Sequence, residues 1–178
     1  PLGESASWNL ENIEKSASIA AKEAAAGGIH LTYAPMVDIT NDPRWGRIVE
    51  GAGEDPYYGS LVSAARVKGF QGKDLTSGER VMACVKHFAC YGAVLAVRDY
   101  NISDFSERTL REMYLPPFKA AIDAGVGSVM TAYSAFDGIP ATANQKLLKT
   151  ILREELGFKG MLITDWSTIN NLVKIGVA

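Results

Sequence analysis

The chain has 178 residues, of which 47% are apolar and 21% charged, and its formal net charge is −2. Such a composition is typical of a globular domain, and it lacks the basic footprint of proteins that bind nucleic acid or anionic membranes. No apolar run approaches the roughly 20 residues of a membrane span. The length predicts one domain, 1–178, with a sizeable core.

Cofactor and targeting signals are missing from the sequence. Cys84 and Cys90 are too few for a disulfide framework. No metal-ligand spacing, glycine-rich phosphate loop or dinucleotide motif is present, so no metal or organic cofactor is expected. The first residues show neither a signal-peptide pattern nor an initiator methionine, which indicates a processed or excised chain and leaves the compartment undetermined.

Five segments have the pattern of helices. The first begins after Asn9, a favourable N-cap, and ends at Gly27-Gly28. The second covers 58–70. The third runs from the cap Ser106 to Ala124 with a bend at Pro116-Pro117. The remaining two are a helix from Asn144 to Gly157 and a last one that carries Ile169, Leu172 and Val173.

Four short apolar runs alternate with these helices and predict strands at 29–37, 81–85, 128–131 and 161–164. Alternation of this kind favours an α/β fold with a parallel sheet and helices outside it. A complete (β/α)8 barrel takes roughly 250 residues, so four units predict about half of a TIM-type barrel. A short doubly wound sheet is the alternative.

Polar residues follow each predicted strand: Asp38 and Arg47, then Lys86, His87 and Arg98, then Tyr133, then Asp165 and Trp166. In a parallel barrel these ends share one face, so the side chains are expected to converge around one cavity. A carboxylate among cationic groups stays ionised, as a nucleophile must. Cationic donors and the flat face of a tryptophan suit a sugar.

Each of these residues also has a purely structural interpretation. Asp165 fits about equally well as the cap of the helix that follows it. Arg47 could be a surface loop charge. Lys86 and His87 are adjacent, so they should point to opposite sides of a strand, which leaves one of them as a packing residue. Tyr133 fits a core position as well as it fits a ligand position.

A series of short motifs extends over nearly the whole chain. They are Ala34-Pro35-Met36-Val37-Asp38, Asp42-Pro43-Arg44-Trp45-Gly46-Arg47, Gly53-Glu54-Asp55-Pro56-Tyr57, Lys86-His87-Phe88, Arg98-Asp99-Tyr100, Ser128-Val129-Met130, Asp137-Gly138-Ile139-Pro140 with Asn144, and Gly160 through Trp166. In this order they resemble the catalytic barrel of glycoside hydrolase family 3, the β-glucosidase and β-xylosidase type.

The resemblance implies a function for the complete enzyme: retaining hydrolysis of terminal non-reducing β-D-glycosyl residues from β-linked oligosaccharides or aryl glycosides. It implies that Asp165 is the nucleophile and that Trp166 contacts the substrate beside the non-reducing-end sugar. The ligands that it implies for that sugar are Arg47, Lys86, His87, Arg98 and Tyr133. It also suggests a periplasmic or extracellular location.

The resemblance further implies that parts of the enzyme lie outside this chain. Family members have an earlier barrel segment and a later α/β domain that supplies the acid/base glutamate. We therefore expect the chain alone to be inactive as a glycosidase, apart at most from slow release of activated aryl leaving groups, and its unpaired sheet edges favour self-association. The alternative is a non-catalytic carbohydrate-binding or structural α/β module.

Two positions depart from the family pattern. Leu95 and Val97 stand where the family usually has a polar residue and a glycine before Arg98. Because a β-branched residue disfavours positive φ angles, valine is expected to displace Arg98 if the loop needs such an angle. Tyr91 stands where the N-acetylglucosaminidase branch has a histidine, which disfavours that branch.

Overall fold

Helices and short strands alternate along the chain in the computed structural model, which describes residues 1–177. The α-helices are α1 (Leu2–Ser5), α2 (Leu10–Ala26), α3 (Pro56–Gln71), α4 (Glu107–Thr109), α5 (Pro116–Asp123) and α6 (Thr168–Lys174). Wider π-helical turns cover Leu110–Tyr114 and Lys146–Glu155. The strands are β1 (Cys84–Phe88), β2 (Ser128–Thr131), β3 (Ala135–Phe136), β4 (Ile139–Pro140) and β5 (Met161–Ile163).

Three of the four predicted strands form one parallel sheet in the order β1-β2-β5. The bounds of β2 are as predicted, and β5 ends one residue early. The predicted strand 81–85 is displaced toward its C-terminus, because β1 stays paired with β2 as far as Phe88 opposite Thr131. Lys86 and His87 therefore lie inside the strand and not beyond its end.

The predicted strand 29–37 is wrong as a continuous element. Two isolated parallel bridges, Leu31 to Met82 and Met36 to Lys86, join this segment to the chain around β1. Pro35 interrupts the ladder because a proline nitrogen has no hydrogen to donate, although its carbonyl accepts from the Lys86 amide at 3.1 Å. The segment still lies alongside β1 in the parallel direction and carries Asp38 to the same end of the sheet.

The predicted helix starts are confirmed by their capping bonds. Asn9 accepts from the Asn12 amide at 3.0 Å, Ser106 from the Thr109 amide at 3.2 Å, and Asn144 from the Leu147 amide at 3.1 Å. Each such bond satisfies an amide that the first helical turn leaves without a partner. The bend expected at Pro116-Pro117 is present, since π-helical turns precede the proline and α5 begins at it.

The core lies between the sheet and the helices on its outer side. Every residue of β2 is buried. The Phe88 ring of β1 meets the Phe118 ring of α5 edge to face at 5.1 Å, and both are fully buried. Ile151 on the π-helical segment is also fully buried. Each such side chain contributes about 1.5–3 kcal/mol through removal from water, which holds the strand ends in place.

None of the helices between residues 1 and 177 combines the length and the apolar character that a bilayer-spanning segment needs. At the sheet edge formed by β5, Met161 is 45% exposed. Self-association through such an edge stays a prediction.

Candidate active site

One cavity opens at the C-terminal ends of the parallel strands. It is lined by Tyr33, Arg47, Lys86, His87, Met130, Thr164, Asp165 and Trp166. Five of the seven residues to which the resemblance gives a role are in this set. The fold thus brings together an acid, an arginine, a lysine, a histidine and an exposed tryptophan from three separate stretches of chain.

Asp165 stands two residues beyond the end of β5. Its Oδ1 accepts a hydrogen bond from the Trp166 amide at 2.6 Å, and its Oδ2 lies 3.8 Å from Nε2 of His87. The side chain is 17% exposed. No side chain caps the start of α6, so helix capping does not account for this carboxylate. It is held at one oxygen by the backbone while the other faces the cavity.

Glu50 connects the two long cationic side chains of the site. Arg47 donates to both of its carboxylate oxygens, at 2.6 and 2.9 Å, and the Lys86 ammonium is 3.8 Å from Oε2. The hydrogen bonds from Arg47 hold the pKa of Glu50 below its usual value, and the same carboxylate raises the pKa of Arg47. Arg47 is therefore a fixed part of the cavity wall and not a free surface charge.

His87 is a buried part of the cavity wall and is 1% exposed. Its Nδ1 lies 2.8 Å from Oδ2 of Asp38, which is itself 2% exposed. Its Nε2 lies 3.4 Å from Nη1 of Arg47 and faces Asp165. The sequence placed Asp38 among the polar residues expected to converge but gave it no role, and it did not identify Glu50. The signal for Asp38 was its place after the first apolar run; nothing local distinguishes Glu50.

Lys86 and His87 both line the cavity, so the expectation that adjacent residues point to opposite sides is wrong here. The register between β1 and β2 shifts between Val85 and Phe88. Such an irregularity interrupts the strict alternation of a strand and re-aims the side chains that follow it.

Aromatic rings support the histidine and the arginine from behind. The ring of Tyr91 lies 4.7 Å from that of His87, and the Arg47 guanidinium lies 5.5 Å from the centre of the same tyrosine ring. Trp45 packs edge-on against Tyr91 and donates from Nε1 to Asp99 at 3.3 Å. Burial raises the pKa of the Tyr91 hydroxyl, so this tyrosine stays neutral.

Tyr133 does not line this cavity, contrary to the expected geometry. It lies two residues beyond β2, and its hydroxyl accepts a hydrogen bond from the Asn171 side chain of α6. Its ring packs against Tyr100 at 4.6 Å in a neighbouring, mostly apolar pocket. The contact with α6, which the local sequence does not reveal, holds the side chain there. Its role as a sugar ligand stays a prediction.

Arg98 is exposed and does not line the cavity. It follows Ala96 and Val97, whose φ angles are +55° and +52°. The expectation that valine would not adopt a positive φ is therefore wrong, because Val97 takes the left-handed conformation. The displacement expected for Arg98 therefore does not follow from Val97, and the role of Arg98 as a sugar ligand stays a prediction.

Comparisons with known proteins agree with this geometry. The family model described as "Glycosyl hydrolase family 3 N terminal domain" matches residues 2–178. The periplasmic β-glucosidase of Salmonella typhimurium is 46% identical over 177 residues, which cover 99% of this chain and 23% of that protein. A β-xylosidase of Formosa agariphila is 44% identical over 169 residues, which cover 93% of this chain and 23% of that protein.

Solved structures show the same likeness. The crystal structure of a β-glucosidase from Listeria innocua in complex with glucose superposes with a TM-score of 0.96 at 44% identity, covering 100% of this chain and 25% of that one. A mutant of that enzyme has been solved in complex with laminaribiose. The parallel α/β unit is therefore part of a TIM-type barrel, and the chain spans about a quarter of the length of the relatives that it matches.

Proposed function

Because this chain belongs to the N-terminal domain of glycosyl hydrolase family 3, we propose that it carries the nucleophile and part of the sugar pocket of a retaining β-glycosidase. The complete protein hydrolyses terminal non-reducing β-D-glycosyl residues. The observation that carries this proposal is the position of Asp165: a carboxylate just beyond the end of a parallel strand, in a cavity walled by Arg47, Lys86 and His87.

Asp165 forms the covalent intermediate in this mechanism. Its Oδ2 attacks the anomeric carbon, the bond to the leaving oxygen breaks, and a glycosyl ester forms on the carboxylate. Water then cleaves the ester and releases the sugar with its original configuration. The Trp166 amide, at 2.6 Å from Oδ1, fixes the orientation of the carboxylate during both steps.

A retaining glycosidase needs a second carboxyl group about 5–5.5 Å from the nucleophile. Among residues 1–177, Asp165 is the one carboxylate among the cavity-lining side chains, since Glu50 lies behind Arg47 and Lys86. The acid that protonates the leaving oxygen is therefore assigned to a part of the protein other than these residues. The described residues therefore contain the nucleophile but not the acid/base carboxyl group.

The cavity wall suits the hydroxyl groups of a pyranose. Arg47 and Lys86 present N–H donors, and Trp166, 85% exposed, offers a flat ring face beside Asp165. We assign a β-glucosyl substrate on the strength of the glucose and laminaribiose complexes of the Listeria innocua enzyme. The Salmonella relative, which is named periplasmic, supports action in the periplasm or outside the cell.

Covalent trapping tests the proposal. The chain is incubated with a 2-deoxy-2-fluoro-β-glucoside that carries a dinitrophenolate leaving group, which departs without a proton, and is then analysed by mass spectrometry. We expect one fluoroglucosyl group on Asp165. The Asp165→Asn variant should stay unlabelled, whereas Asp104→Asn, a change at an exposed loop residue, should label like the parent. An unlabelled parent chain, or a label on another residue, contradicts the proposal.

A further inference from the structure

Asp38 is the buried acid that the mechanism above does not use. Its Oδ2 makes two contacts with the same residue: it accepts a hydrogen bond from the backbone amide of His87 at 3.1 Å, and it lies 2.8 Å from the ring nitrogen Nδ1. The two residues are 49 positions apart in the chain and almost fully buried. The aspartate thus holds both the backbone and the ring of a residue that lines the cavity.

The neighbours of the ring determine where its proton sits. A guanidinium has donors and no acceptor, so a hydrogen bond between Nη1 of Arg47 and Nε2 of His87, which are 3.4 Å apart, requires Nε2 to be the acceptor. The single proton of the neutral ring is then on Nδ1, which faces the Asp38 carboxylate. Asp38 and Arg47 thus favour the same tautomer. Proteins commonly fix the protonation of one ring nitrogen through a hydrogen bond at the other.

A purely structural role explains Asp38 less well. Its second oxygen, Oδ1, is buried and receives no hydrogen bond from residues 1–177. A buried carboxylate oxygen without a donor is costly, so a carboxylate is a poor choice for stability alone. An effect of Asp38 on the ring of His87 accounts for a carboxylate at this buried position.

We infer that Asp38 is a positioning residue: it keeps the proton of His87 on Nδ1, so that the lone pair of Nε2 accepts from Arg47 in the free chain and from a sugar hydroxyl when a sugar is bound. Its use in catalysis rests on the proposed function. The tautomer also matters for the nucleophile, because Nε2 lies 3.8 Å from Oδ2 of Asp165. A proton on Nε2 would attract that oxygen and compete with its attack on the sugar, whereas Nε2 without a proton leaves the oxygen available.

Nitrogen NMR of the histidine rings tests this assignment directly. The chain has two histidines, so ¹⁵N-histidine labelling gives two ring systems, and His30→Gln identifies the signals of His87. Long-range proton–nitrogen spectra, recorded where the ring carries one proton, show which nitrogen is protonated. We expect Nδ1–H in the parent chain. An Nε2–H ring would overturn the inference.

Three variants separate the influence of Asp38 from that of its neighbours. Asp38→Ala removes the acceptor at Nδ1 and leaves only the longer 3.4 Å contact with Arg47 to oppose a proton on Nε2, so the proton of His87 should move at least in part to Nε2. Asp38→Asn keeps an acceptor oxygen and should retain Nδ1–H. Arg47→Met removes the donor at Nε2 and should also retain Nδ1–H, because Asp38 is still present. An unchanged tautomer in Asp38→Ala, or a changed one in Arg47→Met, refutes the assignment. The Arg47→Met result decides the matter if Asp38→Ala does not fold.

The NMR experiment and the trapping experiment can each contradict its own hypothesis without affecting the other. Nδ1–H without a label on Asp165 would remove the proposed glycosidase function and leave the link between Asp38 and His87 intact. A label on Asp165 with Nε2–H would leave the function and remove the positioning role. Titration with glucose adds a third measurement: in the parent chain the Nε2 signal should move toward that of a hydrogen-bonded acceptor. No movement at saturating glucose contradicts contact between this nitrogen and the sugar.

Discussion

Gly160 controls how closely β5 approaches β2, and through β5 the position of Asp165. A Cβ atom at residue 160 would lie 2.3 Å from the carbonyl oxygen of Gly127 and 2.8 Å from the Phe158 ring. The same Gly127 carbonyl accepts the Met161 amide at 2.9 Å, the contact with which β5 begins. Gly160→Ala must therefore push the start of β5 away from the segment around Gly127.

The size of the effect follows from these contacts. A carbon atom normally stays about 3.4 Å from a backbone oxygen, so the added methyl group forces a movement of about 1 Å. Overpacking of this kind costs about 1–3 kcal/mol, and loss of the Met161 hydrogen bond adds about 1 kcal/mol. The smaller backbone entropy of alanine in the unfolded chain offsets less than 1 kcal/mol. We expect a net loss of about 2–3 kcal/mol.

Thermal unfolding followed by circular dichroism measures this loss. For a chain of this size the melting temperature should fall by roughly 5–10 °C. Labelling of Asp165 by the fluoroglucoside should also slow by up to about 10²-fold, because a displacement near 1 Å takes the carboxylate out of line. The control is Gly3→Ala, where the new methyl group meets no atom within 4 Å. A Gly160→Ala chain as stable as this control would refute the reasoning.

Three further predictions concern activity and stability. The purified chain should release phenolate from an activated aryl glycoside slowly and leave cellobiose intact, because a missing general acid costs typically 10²–10⁴-fold; turnover of cellobiose that Asp165→Ala lacks would place an acid within this chain. Val97→Gly should raise stability by about 0.5–1 kcal/mol in thermal unfolding, since φ at Val97 is +52° and the left-handed region disfavours side chains; a lower melting temperature would show that the valine side chain contributes more than the backbone costs. Glu50→Gln should destabilise the chain by about 0.5–1 kcal/mol near pH 7 after allowance for solvent screening. The hydrogen bonds from Arg47 lower the pKa of Glu50, so this difference is complete above the ordinary glutamate pKa of about 4.3 and disappears as the pH falls through the lower folded value; melting curves that differ equally at pH 7 and pH 3 would contradict it.

Local patterns in the sequence were sufficient to place the scaffold. Short apolar runs marked 128–131 and 161–164, and both segments form parallel strands. Capping residues such as Asn9 and Asn144 marked the helix starts, because a capping bond joins residues three positions apart. The position of Asp165 beyond β5 followed from the same local pattern.

The sequence by itself thus determined the alternation of strands and helices, and with it the end of the sheet at which the polar residues gather. Only the tertiary structure decided which of them meet. The register shift within β1 turns Lys86 and His87 toward one cavity. A hydrogen bond from Asn171 holds Tyr133 in the neighbouring pocket. Asp38 reaches His87 across 49 positions. Such contacts depend on packing between distant segments, and no periodicity along the chain encodes them.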